Sequence, residues 1–486
     1  MRKNIPWVLM MCLLLSLFTG CSKEEPRIAV EFEDETETTQ AESESEEGIL
    51  PLTGDFRVGA IKGQVVSASF RDYEQVSGVT VEVREYESPE ALLDGARKGE
   101  FDLLHSYYAE FVMMLGTEEM LLDMEGILKE YLENEEEYYT NILEAGRING
   151  ELLMAIPCFN LAGIRVPKLV YESYGGRLES WNDLQKLYDS LPPVARSLKG
   201  SGGVEFFLLP LLDANTMTEE GLQTLTNERI NEVVSFWQNT SDDWEEAETY
   251  LKNGTGEWED SNSLFYMYDQ DFHRFDALAT ANRVTLDIFR DQMNTDPGEE
   301  AIVVPYPGHN GLSIQGMCYS LVKNGIGYPQ AAAYLQWLYS EEGQNAYRGT
   351  TYGTPGSYNM GFWTRKDAAE YYLGWIGSDG EVSWEMAIEK GEPILSAADC
   401  IHVDGNSILG LNVGLAIMAR LYGTNQIDET IEAYGRDNVI PFTLQCYEAG
   451  ILNNPEPQTV ESFDDWGDFL QKVLRLYYQN MGHVPQ

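Results

Sequence analysis

The period of the apolar residues changes four times between Asp55 and Tyr108, and that succession restricts the fold more than any other feature. "DFRVGAI", Asp55 to Ile61, reads as a strand, a helical stretch follows it, and in "GVTVEVREY" Val79, Val81 and Val83 alternate as in a half-buried strand. "SPEALLDGARKGE" opens a second helix, with Ser88 as its cap, Pro89 at the first helical position and Glu90 in the first turn. "FDLLHSYY" is a third strand that runs into polar residues. Strand, helix, strand, helix, strand is the order of a parallel α/β sheet, whose ligand clefts lie at the carboxyl ends of the strands. His105, Ser106, Tyr107 and Tyr108 are placed in such a loop. Each tyrosine there is a candidate ligand contact, with ordinary packing as the alternative.

Further along, "TEEMLLDMEGILKEY" and "EEYYTNILEAGRING" read as helical and "ELLMAIPCFNLAGIRV" as strand, break, strand. "SWNDLQKLYDSL" is a helix capped by Ser180, and "SLFYMYDQDF" carries a strand into polar residues. "AIVVPYPGHNGLSIQGMCYSLV" reads as two strands around a Pro/Gly turn, and "YPQAAAYLQWLYSEEGQNAY" as an amphipathic helix. The C-terminal third is mainly helical, including Asn406 to Leu421 and Ser462 to Tyr478. There is no internal repeat.

The amino terminus carries an address. Arg2 and Lys3 precede an apolar stretch from Pro6 to Phe18, which has signal-peptide length and falls short of the roughly 20 residues of a spanning helix. It ends in "LFTGC", Leu17 to Cys21, which resembles the lipobox of bacterial lipoproteins, where cleavage precedes the cysteine and its sulfur takes a diacylglyceryl group. Phe18 and Thr19 depart a little from the commonest residues at those positions, and an ordinary signal with an incidental cysteine is the alternative. The expected mature chain begins at Cys21, held by acyl chains whose transfer is worth about 0.8 kcal/mol per buried CH₂. The acidic run from Ser22 to Glu47 buries too little to offset chain entropy and reads as a disordered tether.

A formal charge of -48 over 486 residues argues against nucleic acid and against adhesion to anionic lipid, since both need basic patches. An acidic, solvated surface explains it without a specific acidic site. Aromatic residues make up 12% of the chain, with Tyr commonest, and Tyr suits both binding surfaces and cores.

Catalytic and metal signatures are missing. Cys158, Cys318, Cys400 and Cys446 have no C-x-x-C spacing, so no zinc framework follows; buried thiols are expected, with a Cys400 to Cys446 bridge as the alternative. H-E-x-x-H, G-x-S-x-G and the P-loop are absent, and "DQDFH" lacks the alternation and glycine of a calcium loop. His105, His273, His309, His402 and His483 are scattered, and only His105 falls in a proposed cleft loop, where it could bond a ligand hydroxyl. No cofactor and no metal are expected.

Several segments together resemble the bacterial extracellular solute-binding proteins of ABC transporters, the maltose-binding-like class. "GEFDLLHSYYAEFVMMLGTEEMLLDMEGILKEY" is similar to that family's strand, short loop, helix and leucine-aspartate pair. "AGRINGELLMAIPCFNLAGIRVPKLV" looks like the strand leading into its first interdomain crossover, and "SWNDL" like a helix start. Val303 to Gln344, followed by Gly353-Thr354-Pro355, resembles its later proline, glycine and glutamine landmarks. The resemblance covers most of Asp55 to about Leu452, and the C-terminal third departs most.

This resemblance implies an α/β, two-lobed periplasmic-binding-protein-like fold with discontinuous domains and a helical C-terminal region. Its chain crossings would fall near Asn160 to Arg165, Gly316 to Cys318 and Thr351 to Pro355. Residues 1–20 would be the signal, 21–53 the lipid-anchored linker, 54–161 and 317–352 lobe one, and 162–316 with 353–486 lobe two. Ligand contacts are expected from Ser106, Tyr107, Tyr108, Phe159, Asn160, Tyr268 and Asp269, with Tyr306 and Trp363 as weaker aromatic candidates. In sugar binders, aromatic faces stack on pyranose rings and polar side chains bond the hydroxyls.

The implied role is capture of an oligosaccharide or other polar solute by a monomer on the outer face of the cell membrane, anchored by lipid, for delivery to ABC permease subunits. Peptides and polyols stay open as ligands. Two rivals are a lipid-anchored glycoside hydrolase, which needs two carboxyls roughly 5 to 9.5 Å apart, and a co-receptor or adhesin that keeps the fold without import.

Overall fold

The computed structural model describes residues 54–65, 67–106, 108–167, 172, 175–190, 211–212, 214–240, 279–284, 301–311, 313–344, 362–366, 408–436, 439 and 441–485. The first strand-helix succession forms as its periodicity demands: β1 (Asp55–Ile61), α1 (Ser67–Ser77), β2 (Thr80–Tyr86), α2 (Pro89–Arg97), β3 (Leu103–Ser106) and α3 (Ala109–Thr117). Ser88 caps α2 as expected, its Oγ accepting from the Ala91 N–H at 3.3 Å, with Pro89 in the first turn.

Then come α4 (Glu125–Leu132), the small hairpin β4 (Arg147–Ile148) and β5 (Glu151–Leu152), β6 (Cys158–Pro167), α5 (Trp181–Ser190), α6 (Asn227–Thr240), β7 (Ala279–Val284), β8 (Ala301–Val304), β9 (Ser313–Gly316), β10 (Cys318–Leu321), α7 (Tyr328–Tyr339) and β11 (Phe362–Trp363). The helices α8 (Ile408–Tyr422), α9 (Asn425–Tyr434), α10 (Pro441–Glu448) and α11 (Trp466–Asn480) close the chain.

Two larger sheets result, and both belong to the mixed α/β class read from the sequence. The first has the order β10-β3-β1-β2, with β1 parallel to β2 and to β3 and with β10 antiparallel to β3. β1 is its inner strand: Phe56, Val58 and Ala60 are fully buried, whereas β2 at the edge buries little. Gly59 of β1 is dictated by packing, because a Cβ there would lie 2.4 Å from the Phe101 ring. Helix α7 covers this sheet through Tyr334, whose ring meets Phe56, Phe70 and Tyr73 at 5.0 to 5.7 Å and whose hydroxyl shares a 3.0 Å hydrogen bond with Ser69.

The second sheet is built on β6, which pairs antiparallel with β7, β8, β9 and β11. "GLSIQGMCYSLV", expected as one strand, is two. Met317 separates β9, which pairs with β6 of the second sheet, from β10, which pairs with β3 of the first. Ala155, just before β6, bridges Tyr319 of β10 through reciprocal backbone hydrogen bonds of 2.8 and 2.9 Å. Two antiparallel chain segments therefore pass side by side from one sheet to the other.

A third segment joins them. Phe159 has Gly316 as its partner in β9 and Phe362 as its partner in β11. The Pro157 carbonyl accepts from the backbone N–H of Thr364 at 3.2 Å, from its hydroxyl at 3.2 Å and from the Gln344 amide at 3.4 Å.

In the C-terminal region Trp466, Phe469, Leu470, Val473, Leu474, Tyr477 and Tyr478 recur at helical spacing and form the buried face of α11, which packs on α6, α8 and α10. Arg420 of α8 lies beneath the rings of Phe463, Phe469 and Trp466, 4.2 to 4.9 Å from their centroids, and pairs with Asp465. Among the described residues no helix is long and apolar enough to cross a membrane.

Candidate functional site

The strand order of the first sheet decides where a ligand can be reached. The chain leaves β1 toward β2 on one side and returns across it to β3 on the other, so the loops after β1 and β3 diverge and leave a crevice between their carboxyl ends. Gln64 stands after β1, in a turn whose N–H donates to the Ile61 carbonyl at 3.0 Å. Across the crevice its amide nitrogen donates to the Tyr108 hydroxyl at 2.7 Å. The Gln64 amide oxygen is buried and meets no donor among the described residues.

Ser106 ends β3 and sets the entry to α3: its Oγ accepts from the Tyr108 N–H at 2.9 Å, the short-range bond that turns a chain out of a strand. Tyr108 is then the residue before the helix, and its ring packs edge-to-face on Phe111 at 5.1 Å. Glu110, in the first turn of α3, is fully buried. Burial pushes the Cys318 thiol up, and the Glu110 charge adds to it.

The crevice adjoins the passage between the sheets. Ser106 pairs with Cys318, the first residue of β10, and two residues earlier β9 ends at Gly316, which pairs with Phe159. Gln64, Ser106 and Tyr108 are thus gathered beside Met317 and Cys318.

The other expected contacts are distributed as follows. Ser106 and Tyr108 are both buried, Tyr108 to 5% exposure, so the tyrosine presents its hydroxyl to the crevice rather than an open face. Tyr107 lies outside the described residues, as do Tyr268, Asp269 and Cys21. The backbone of Asn160 pairs with Gln315 in the second sheet. Phe159 is fully buried, with its ring edge-to-face on Tyr139 at 6.1 Å. Tyr306 and Trp363 are buried too.

His105 needs correction. It belongs to β3 and not to a loop, and its ring lies between Phe70 at 5.9 Å and Tyr319 at 5.0 Å. Burial brings its pKa down to about 4, so the imidazole is neutral at pH 7 and serves the core.

Gln64 is the residue that the sequence did not single out. "KGQVV" carries no motif, and the signal lay only in its place directly after the first strand. Of the cysteines, Cys158, Cys318 and Cys446 are buried, the Cys446 thiol is free and pushed up to about 12 by burial, and Cys400 lies outside the described residues. Among the described residues no group of three or more His, Cys, Asp or Glu side chains is arranged to hold a metal.

No family model and no curated protein matches the chain. Solved structures similar to it include a periplasmic solute-binding protein from Pectobacterium atrosepticum, at 13% identity and a TM-score of 0.44, covering 88% of this chain and 100% of that one. The sugar-binding protein MalE from Xanthomonas citri is similar at 12% identity and a TM-score of 0.44, over 88% of this chain and 97% of that one. Maltose-bound MalE3 of T. maritima is similar at 14% identity and a TM-score of 0.42, over 87% and 100% of the two chains.

Proposed function

We propose that this chain is an exported solute-binding protein. Its mature form is anchored by lipid at Cys21 on the outer face of the cell membrane, captures a polar solute without catalysis, and hands it to the permease subunits of an ABC importer. An oligosaccharide is the proposed solute. Lobe one comprises 54–161 and 317–352, lobe two 162–316 and 353–486, and the solute is held in the cleft between them by a monomer.

The observation that carries this reading is the coincidence of two features at one place. The switch point of the first sheet, marked by the 2.7 Å bond from Gln64 to Tyr108, adjoins the segment where β9 of one sheet continues through Met317 into β10 of the other. A solute seated there touches the strand ends of one lobe beside the pivot about which the second closes. Closure excludes water from the polar contacts, and the solute drives it only to the extent that it binds the closed form better. Tyr107, Asn160, Tyr268 and Asp269 are proposed as further contacts.

The test is the thermal shift of the soluble body, Gly48 to Gln486, against a panel of oligosaccharides, with recovery of the bound molecule. Saturable stabilisation by one sugar family, recovered intact, is the expected result. Cleaved sugar would replace binding by hydrolysis, and no shift with any sugar would remove carbohydrate as the ligand.

A further inference from the structure

The turns after β1 and β3 spend their donors internally. After β1, the Lys62 N–H donates to the Tyr86 carbonyl, the Gly63 N–H to Glu85 Oε1 and the Gln64 N–H to the Ile61 carbonyl, each at 3.0 Å. After β3, the Tyr108 N–H goes to Ser106 Oγ, and the Ser106 hydroxyl reaches back to the Tyr108 carbonyl at 3.4 Å. This is the reverse of an anion-binding nest, in which successive N–H groups point at the ligand. Lys62 is the one cation among the described residues of these two turns, and its ammonium is held 2.6 Å from Glu87, with the Glu85 charge also acting on it.

What the crevice offers instead is acceptors. Gln64 commits its amide nitrogen to the Tyr108 hydroxyl, which leaves its oxygen on the other side of the amide, buried and without a donor. An amide oxygen only accepts. Glu110, fully buried in the first turn of α3, sets its charge against the positive end of that helix, and the same charge reaches the Cys318 thiol of β10 and the Tyr477 hydroxyl of α11. A buried acceptor without a donor is a standing cost, recovered when a ligand brings a hydrogen and enlarged when it brings another lone pair.

We propose that the group a solute seats against Gln64 is a hydrogen-bond donor without negative charge, a hydroxyl or an ammonium, and that Gln64, oriented by Tyr108, makes the site discriminate against carboxylate- and phosphate-bearing solutes. This selectivity presupposes that the proposed solute site lies at this crevice. Of the neutral, amino and acidic forms of one sugar, the first two are accepted and the uronate is refused. Against it stands the amino end of α1, which follows the same turn as Gln64 and has no acidic residue in its first turn, so that it favours an anion. The acidic sugar probes that end directly.

The experiment uses the full mature chain with nitrogen-15 in its glutamine side chains. The Gln64 amide signal is assigned by its loss in Gln64→Glu, or sequentially should that variant not fold. Glucose, glucosamine and glucuronate are then titrated separately at pH 7. Glucose and glucosamine should move the signal saturably, and glucuronate should bind at least about tenfold more weakly than either. Glucuronate that moves the amide as strongly as glucose overturns the discrimination and favours the amino end of α1. An amide that none of the three moves, in a protein that oligosaccharides still stabilise, also overturns it while solute binding stands with its site elsewhere. A protein that no sugar stabilises or shifts loses both.

Discussion

Asp102 and Arg57 form a closed pair across the neighbouring strands of the first sheet. The carboxylate accepts from Arg57 Nε at 3.0 Å, from Nη2 at 2.9 Å and from the Arg57 backbone N–H at 2.8 Å, and the Gly327 N–H adds a fourth bond at 2.8 Å. One buried side chain thus ties β1, the entrance of β3 and the start of α7 together. Burial pushes the Asp102 carboxyl up, but the hydrogen bonds of Arg57 and Gly327 prevail and its pKa is lowered.

Asp102→Ala should cost about 3 kcal/mol or more, because it leaves a guanidinium and two backbone N–H groups without their acceptor. The sign of the pH effect follows from the lowered pKa: the pair's contribution is complete above the unfolded carboxyl's range and is lost as pH falls through the folded value. Urea unfolding from pH 2 to 7 would measure both, and a variant as stable as the wild type at pH 7 would show that the pair contributes nothing.

Tyr108→Ala should weaken solute binding at least tenfold, about 1.4 kcal/mol. Gln64→Leu should act in the same direction, since the amide that bridges the two loops is replaced by an apolar group. Calorimetry with the solute identified by thermal shift reads both, and unchanged affinity in the two variants removes this crevice from the binding site.

Much of the first sheet was legible because its signals are local. Ser88, Pro89 and the alternating valines fix elements within a few residues of themselves. The C-terminal helices were legible for the same reason, at Ile408–Tyr422 and Trp466–Asn480. The strand pattern alone did not show the division at Met317, since a continuous apolar run carries no mark of which sheet each half will join; the crossing expected near Gly316 to Cys318 came only from the family resemblance. His105 misled because a polar residue at the end of an apolar run resembles a loop, whereas here the Phe70 and Tyr319 rings enclose it. Gln64 escaped because its role comes from strand order, a nonlocal property.

Gln344 supplies a test of the passage between the sheets. Its amide donates to the Leu338 carbonyl at 2.9 Å and to the Pro157 carbonyl at 3.4 Å, so it ties the end of α7 to the residue before β6. Gln344→Leu should destabilise by about 1 to 3 kcal/mol, since buried carbonyls lose a donor. Thr364→Val, which removes one of the bonds to Pro157 while the backbone bond stays, should cost about 1 kcal/mol. Chemical denaturation of the two variants checks the order; a larger loss for Thr364→Val would contradict it.

Gly59→Ala should destabilise by about 1 to 3 kcal/mol, the range for overpacking a filled interior, because the Phe101 ring occupies the space a methyl needs. Adding Phe101→Leu should recover part of the loss if the clash is the cause. Denaturation midpoints of the single and double variants decide it, and strictly additive losses would place the cost elsewhere.

His105 gives the chain a second acid-sensitive group, of a kind opposite to an ion pair. The neutral ring is buried between aromatic neighbours, with a folded pKa of about 4. In the unfolded chain the same ring titrates near the ordinary histidine value of about 6.5. Between these two limits the unfolded state binds more protons, so stability rises with pH across the window and is lost as pH falls through it. Above about pH 6.5 both states carry a neutral ring and the slope from this residue vanishes. His105→Leu should therefore flatten the stability profile between about pH 4 and 6.5, whatever its effect on absolute stability from altered packing. Urea unfolding at half-unit pH steps compares the slopes, and an equal slope in wild type and variant over that window would mean that the buried ring is not what the acid protonates.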